Sequence, residues 1–95
     1  MPVTVGVYVK GKKIDEVCVY DDYEEAWEHV SENLDFKPND DGTLKVFYKG
    51  KVILEAYKPD FDLSEYDIEE DYEDIKERLY EELTQWSNVI YLVEL

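Results

Sequence analysis

The chain is poor in cysteine, histidine, glycine, proline and positive charge, and each shortage removes a class of chemistry. One cysteine, Cys18, excludes an intramolecular disulfide and any zinc site built from cysteine pairs. One histidine, His29, with no cysteine or second histidine beside it does not make a transition-metal centre. The four glycines are dispersed among turns and a strand, so no glycine-rich run cradles a phosphate. No stretch approaches the ~20 consecutive apolar residues that cross a bilayer. Met1-Pro2-Val3 opens without the basic and apolar runs of a secretory leader, so a cytoplasmic protein is expected. Ten cations face 25 acids, a net charge of -15. Such a field repels nucleic acid and anionic membranes and attracts basic protein surfaces.

What the chain does have is apolar material. Hydrophobic residues make up 44% and aromatics 15% of its 95 residues. That is enough for one small domain over residues 1–95 and too short for two. High charge without low hydrophobicity is not the signature of disorder.

Val3, Val5, Val7 and Val9 alternate with Thr4, Gly6, Tyr8 and Lys10, the period of a half-buried strand. Lys10 to Lys13 reads as a turn and Ile14 to Tyr20 as the returning strand, with Cys18 expected as a buried, inert thiol. Asp22 with Glu25 resembles a helix-capping pair. Tyr23, Ala26, Trp27, Val30 and Leu34 then follow at helical spacing. Lys37 to Gly42 ends this helix in a loop. Leu44, Val46 and Tyr48, the Lys49-Gly50 turn, and Val52, Leu54 and Ala56 form a second hairpin, closed by Pro59. Ser64 with Asp67 offers a second cap, ahead of a seam of Ile68, Tyr72, Ile75, Leu79, Leu83 and Trp86. Ser87-Asn88 breaks that helix and Val89 to Leu95 is a terminal strand. The expected fold is α+β in the order ββαββαβ, with two helices on one face of a five-stranded sheet and no internal repeat.

The acids concentrate late in the chain. Residues 60–95 hold thirteen acids against two cations, and residues 1–59 hold twelve against eight. Lys10, Lys12, Lys13, Lys49 and Lys51 gather at the two hairpin turns, which predicts a dipolar molecule. Between Glu65 and Glu82 stand ten carboxylates with only Lys76 and Arg78 for company. As one helix these eighteen residues would span about 27 Å, or one carboxylate every ~2.7 Å. A strand of B-DNA places a charge about every 3.4 Å. Like charges at i,i+4, such as Glu69/Glu73, Glu73/Glu77 and Glu77/Glu81, destabilise a helix, so their accumulation points to a binding surface.

In size, charge and α+β texture the chain is similar to nucleic-acid-mimicking inhibitors, the small acidic proteins of phages and mobile elements. These block restriction enzymes, CRISPR effectors, glycosylases and other DNA-binding proteins. The resemblance implies a non-enzymatic inhibitor acting as a monomer or small homodimer on a basic nucleic-acid-binding protein or nuclease, without binding nucleic acid itself. The expected partner-binding residues are Glu65, Tyr66, Asp67, Glu69, Glu70, Asp71, Glu73, Asp74, Glu77 and Glu81. Tyr66, Tyr80 and Phe61 are the expected aromatic anchors. An acidic immunity protein or antitoxin for a basic toxin, and an accessory interaction subunit, are the alternative readings.

Three weaker signals lead elsewhere. Asp60-Phe61-Asp62-Leu63-Ser64 begins like a calcium loop, but Glu65 stands where the sharp turn needs glycine. His29 is expected to be an exposed helical side chain. Trp27 and Trp86, both at seam positions, are expected in the core. No cofactor, metal or catalytic residue is expected.

Overall fold

Two Lys-Gly turns organise the chain. In the computed structural model, which describes residues 2–20 and 22–95, Lys10 and Gly11 have φ of 50° and 84°, and Lys49 and Gly50 have φ of 51° and 79°. Positive φ at both central residues gives the turn twist that suits a two-residue hairpin. The first turn joins β1 (Val3–Val9) to β2 (Lys12–Val19), and the second joins β4 (Leu44–Tyr48) to β5 (Lys51–Tyr57). The remaining elements are α1 (Glu24–Asn33), β3 (Leu34–Pro38), α2 (Tyr72–Glu81) and β6 (Ile90–Glu94). A short 3₁₀ turn covers Leu63–Glu65, and a π-helical turn extends α2 over Glu82–Trp86.

The α+β class stands, but the expected single five-stranded sheet does not. Among the described residues six strands form two antiparallel sheets, ordered β2-β1-β6 and β3-β4-β5. The additional strand is β3. Leu34 has helical spacing from Val30, yet Leu34 and Phe36 also alternate with Asp35 and Lys37. That alternation prevails: Leu34 and Phe36 are buried, Asp35 and Lys37 exposed. Pro38 closes the strand.

An internal repeat is present, contrary to the sequence expectation. Val7-Tyr8-Val9-Lys10-Gly11-Lys12-Lys13-Ile14 matches Val46-Phe47-Tyr48-Lys49-Gly50-Lys51-Val52-Ile53. In both hairpins the first strand's valine pairs with the residue immediately after the isoleucine, Val7 with Asp15 and Val46 with Leu54, so a register shift follows that valine in each. Each hairpin leads through a helix to a closing strand, giving β1-β2-α1-β3 and β4-β5-α2-β6. The closing strands are exchanged: β3 pairs with β4, and β6 pairs with β1. Register is kept throughout, since Leu34↔Tyr48, Asp35↔Phe47 and Phe36↔Val46 correspond to Ile90↔Val9, Tyr91↔Tyr8 and Leu92↔Val7. The amide of Lys49 donates to the Asn33 carbonyl at 3.0 Å, as that of Lys10 donates to the Val89 carbonyl at 3.2 Å.

The spacing between equivalent positions grows along the chain. Lys10 and Lys49 are 39 residues apart, Glu24 and Glu73 are 49, and Leu34 and Ile90 are 56. The second half therefore carries ten extra residues before its helix and seven after it. The latter are the π-helical turn and the Ser87-Asn88 link to β6.

Both helices bury one stripe. Ala26 and Val30 of α1 are buried, and so are Ile75, Leu79 and the following Leu83. Val30, Ile75, Leu79 and Leu83 pack with Val7, Val9, Phe36, Leu44, Val46, Tyr48 and Ile90 from the two sheets, while Ala26 packs with Val5 and Val19. Burying Ile75, Leu79 and Leu83 contributes roughly 1.5–3 kcal/mol each. Like-charge pairs on the other side of α2 cost only about 0.2–0.5 kcal/mol each. Burial wins, and the helix tolerates its acids.

Three placements differ from expectation. Cys18 is exposed, because Val17 and Val19 take the inward positions of β2. Trp86 is 77% exposed, because the wider π-helical turn rotates it off the seam. His29 is only half exposed, with Nε2 3.2 Å from Asp15 Oδ2. Trp27 is half-buried against the core, its ring edge-on to Tyr80.

Asp15 ties the halves together at the hairpin tips. Its Oδ2 accepts the Tyr48 hydroxyl at 2.7 Å and lies 2.9 Å from Lys49 Nζ. Desolvation raises its pKa, but hydrogen bonds from Lys49, Tyr48 and the Glu16 amide outweigh that and hold it at about 2. Lys12, Lys13, Lys49 and Lys51 line one cavity of ≈ 320 Å³ beside this contact. The expected clustering of lysines at the turns is thus met by the fold.

Candidate functional site: two acidic helices and a buried carboxylate

The ten acids do not form one long helix. α2 begins only at Tyr72, because aspartates ahead of it take up backbone amides. Asp67 Oδ1 accepts from the amides of Glu69 and Glu70 at 3.0 and 3.1 Å. Asp71 Oδ2 accepts from the amide of Asp67 at 2.9 Å. Upstream, Asp62 Oδ1 accepts from the Ser64 amide and hydroxyl at 3.0 and 2.6 Å, so Asp62 rather than Ser64 does the capping. These hydrogen bonds hold the Asp62 carboxyl below the usual range. Glu65, Asp67, Glu69 and Glu70 lie exposed in the approach to the helix, and Asp71 is half-buried at its start. A continuous 27 Å ridge is therefore ruled out.

On α2 itself the acids are ordered. At about 100° per residue, Glu73, Asp74, Glu77 and Glu81 fall within a sector of about 100° opposite Ile75 and Leu79, and all four are exposed. The same pattern recurs on α1. Glu24, Glu25, Glu28 and Glu32 are exposed opposite Ala26 and Val30, at positions equivalent in the repeat to Glu73, Asp74, Glu77 and Glu81. Of the remaining equivalent pairs, Ala26/Ile75 and Val30/Leu79 stay apolar and buried, while Trp27/Lys76, His29/Arg78 and Ser31/Tyr80 have diverged. The sequence expectation singles out only α2 and its approach. The signal available was the shared spacing Glu-acid-x-x-Glu-x-x-x-Glu.

The two helices share a groove of ≈ 570 Å³, lined by Ser31 and Glu32 of α1 and by Glu73, Lys76, Glu77, Tyr80, Glu81 and Gln85. Among the described residues, the carboxylates in ion pairs are Glu16 and Asp15. None of the eight helical acids is paired. Of the three expected anchors, Phe61 is buried and Tyr66 is half-buried edge-on against it at 5.7 Å. Tyr80 is half-buried in the groove and donates to the Trp27 carbonyl at 3.4 Å. Trp86, not among the expected anchors, is the aromatic side chain that the fold exposes most.

One carboxylate behaves differently from the rest. Glu82, only 8% exposed, sits at the start of the π-helical turn. Its Oε1 accepts from the Tyr57 hydroxyl at 2.7 Å and from the Asp60 amide at 2.9 Å. Burial, and then this bond to Glu82, push the Tyr57 hydroxyl well above the ordinary tyrosine range. Oε2 of Glu82 is buried with no hydrogen-bond partner. The residue lines a cavity of ≈ 180 Å³ with Asp60, Arg78, Glu81 and Trp86.

No group of three or more His, Cys, Asp or Glu side chains converges for a metal among the described residues. No helix there is long and apolar enough to cross a membrane. Compared with protein-family models, with curated proteins and with solved structures, the chain gives no match.

Proposed function

We propose that the chain is a non-enzymatic inhibitor whose acidic helices occupy the basic cleft of a nucleic-acid-binding protein or nuclease. The observation that carries this reading is the repeated stripe of four exposed, unpaired acids on α1 and on α2. From Glu73 to Glu81 is about 12 Å of helix, and from Glu24 to Glu32 the same. Each stripe thus spaces its carboxylates by about 4 Å, close to the ~3.4 Å rise of phosphates along a B-DNA strand. Clefts that hold phosphates are lined by arginine and lysine, which bond carboxylates equally well. Two stripes flanking one groove offer such a cleft two rows of anions. Long-range attraction would speed association and make it sensitive to salt.

The test is capture of DNA- and RNA-binding proteins from a lysate, identified by mass spectrometry, and then reconstituted with the purified partner. Binding is expected near 0.1 M salt and lost near 1 M, as the Debye length falls from ~10 Å to ~3 Å. The variant Glu28→Lys, Glu32→Lys, Glu73→Lys, Glu77→Lys should fail to bind, and nucleic acid should compete with the wild type. Undiminished binding by the reversed variant would refute the proposal.

A further inference from the structure

The two insertions that distinguish the second half of the repeat meet at one point. The segment before α2 supplies Asp60, and the π-helical turn after it supplies Glu82 and Trp86. The contact is direct: the Asp60 amide donates to Glu82 Oε1. In the first half α1 passes straight into β3, from Asn33 to Leu34, with no such turn. π-helical turns inside α-helices are rare and are frequently found at functional sites.

Their junction is chemically incomplete. A buried carboxylate oxygen is ordinarily satisfied by a donor, and Glu82 Oε2 has none. Arg78 shares the cavity wall, but its guanidinium lies over the Phe61 ring at 5.2 Å and is in no ion pair among the described residues. Asp60, Glu81 and Glu82 against Arg78 leave the wall with a net charge of -2. The carboxylates do not converge as metal ligands do, so the charge calls for an organic cation. The wall also includes an indole, 77% exposed, in a chain that otherwise buries its helical seams. An aromatic face beside carboxylates suits a planar guanidinium, which stacks and donates in its own plane.

We propose that the cavity bounded by Asp60, Arg78, Glu81, Glu82 and Trp86 receives one arginine side chain of the protein partner, stacked on Trp86 and bonded to Glu82. The inference deepens the inhibitor reading and rests on it for the identity of the partner. It supplies what the helical stripes lack, a shaped contact that selects one basic protein among many. The stripes attract, and the cavity discriminates.

The experiment titrates the ¹⁵N-labelled full chain with N-acetyl-arginine amide at low salt and follows the two indole N–H signals. A saturable shift of the Trp86 signal is expected, with the Trp27 signal unmoved. The lysine analogue should bind at least about tenfold more weakly, having no planar face. Glu82→Gln keeps an acceptor for Tyr57 and Asp60 but removes the charge, and should weaken binding about tenfold. Trp86→Ala changes an exposed side chain; there the Asp60 amide signal takes over as reporter and should lose its saturable response. A shift that does not saturate, equal response of both indoles, equal affinity for lysine, or unchanged binding by Glu82→Gln would overturn the proposal. The helical charge reversals leave the cavity intact, so undiminished partner capture by the reversed variant, with a normal titration, refutes the inhibitor reading alone. A failed titration with intact capture refutes the cavity alone.

Discussion

Glu77 stands one helical turn after Glu73 and one turn before Glu81, exposed, and among the described residues no cation is bonded to any of the three. Replacing it by lysine turns two like-charge i,i+4 pairs into two opposite ones. Each like pair costs, and each opposite pair contributes, roughly 0.2–0.5 kcal/mol. The reversal should therefore stabilise the chain by about 1 kcal/mol. For a chain of this size that raises Tm by about 4–8 °C. Thermal melts followed by circular dichroism, at low salt and near 1 M salt, measure it, and the gain should shrink as salt screens the pairs. Glu28→Lys in α1, flanked by Glu24 and Glu32, should behave alike. The same substitutions should weaken partner binding, so stability and function move in opposite directions. If Glu77→Lys leaves the low-salt Tm unchanged or lowers it, the stripe is not self-repelling and the argument from tolerated repulsion fails.

Other predictions concern the scaffold. Asp15, with a pKa of about 2 against an ordinary 3.8, contributes stability that is present above the ordinary value and lost as pH falls through about 2. Asp15→Asn should lower stability by about 1–2 kcal/mol at pH 7, after allowance for the half-exposed Lys49. Urea melts of the two proteins at a series of pH values should converge as pH falls from about 4 to 2. A difference at pH 2 as large as that at pH 7 would contradict the assigned network. Gly50→Ala meets no atom within 4 Å but must hold φ near 79°, so it should cost about 1 kcal/mol through the backbone alone. Gly11→Ala, at φ 84° and equally open, should match it within error in parallel urea melts. Cys18, exposed on β2, should react with a thiol reagent in the native state at a rate close to that of a free thiol; protection would contradict its placement.

The hairpins were legible because strand alternation and the Lys-Gly turns are local signals, and both helices announced themselves by apolar spacing. What escaped depended on competition between two local rules. Leu34 satisfies helix spacing and strand alternation at once, and only pairing with β4, a tertiary fact, decides between them. The start of α2 is set by Asp67 and Asp71 drawing amides out of the helical pattern, which an acid-rich sequence conceals. Trp86 fits the seam at 3.6 residues per turn and leaves it once the turn widens. The repeat was present in Val-aromatic-x-Lys-Gly-Lys-x-Ile, but two insertions break its spacing, and the exchanged strands become evident only when pairing is known. At the candidate site the charges were legible. The second stripe was not singled out, and the orphaned oxygen of Glu82 has no trace in sequence.

The exchange of closing strands has a consequence for how the molecule assembles. β1 acquires its second neighbour only when Ile90–Glu94 arrives from more than eighty positions away. Bridging so long a loop is slow and entropically demanding, and its reward comes late. Neither half holds a finished sheet in isolation, so fraying of one strips an edge from the other. The chain should open as a unit or not at all. Its two mutually repelling acidic rods are thereby locked side by side, by a clasp that neither could fasten alone.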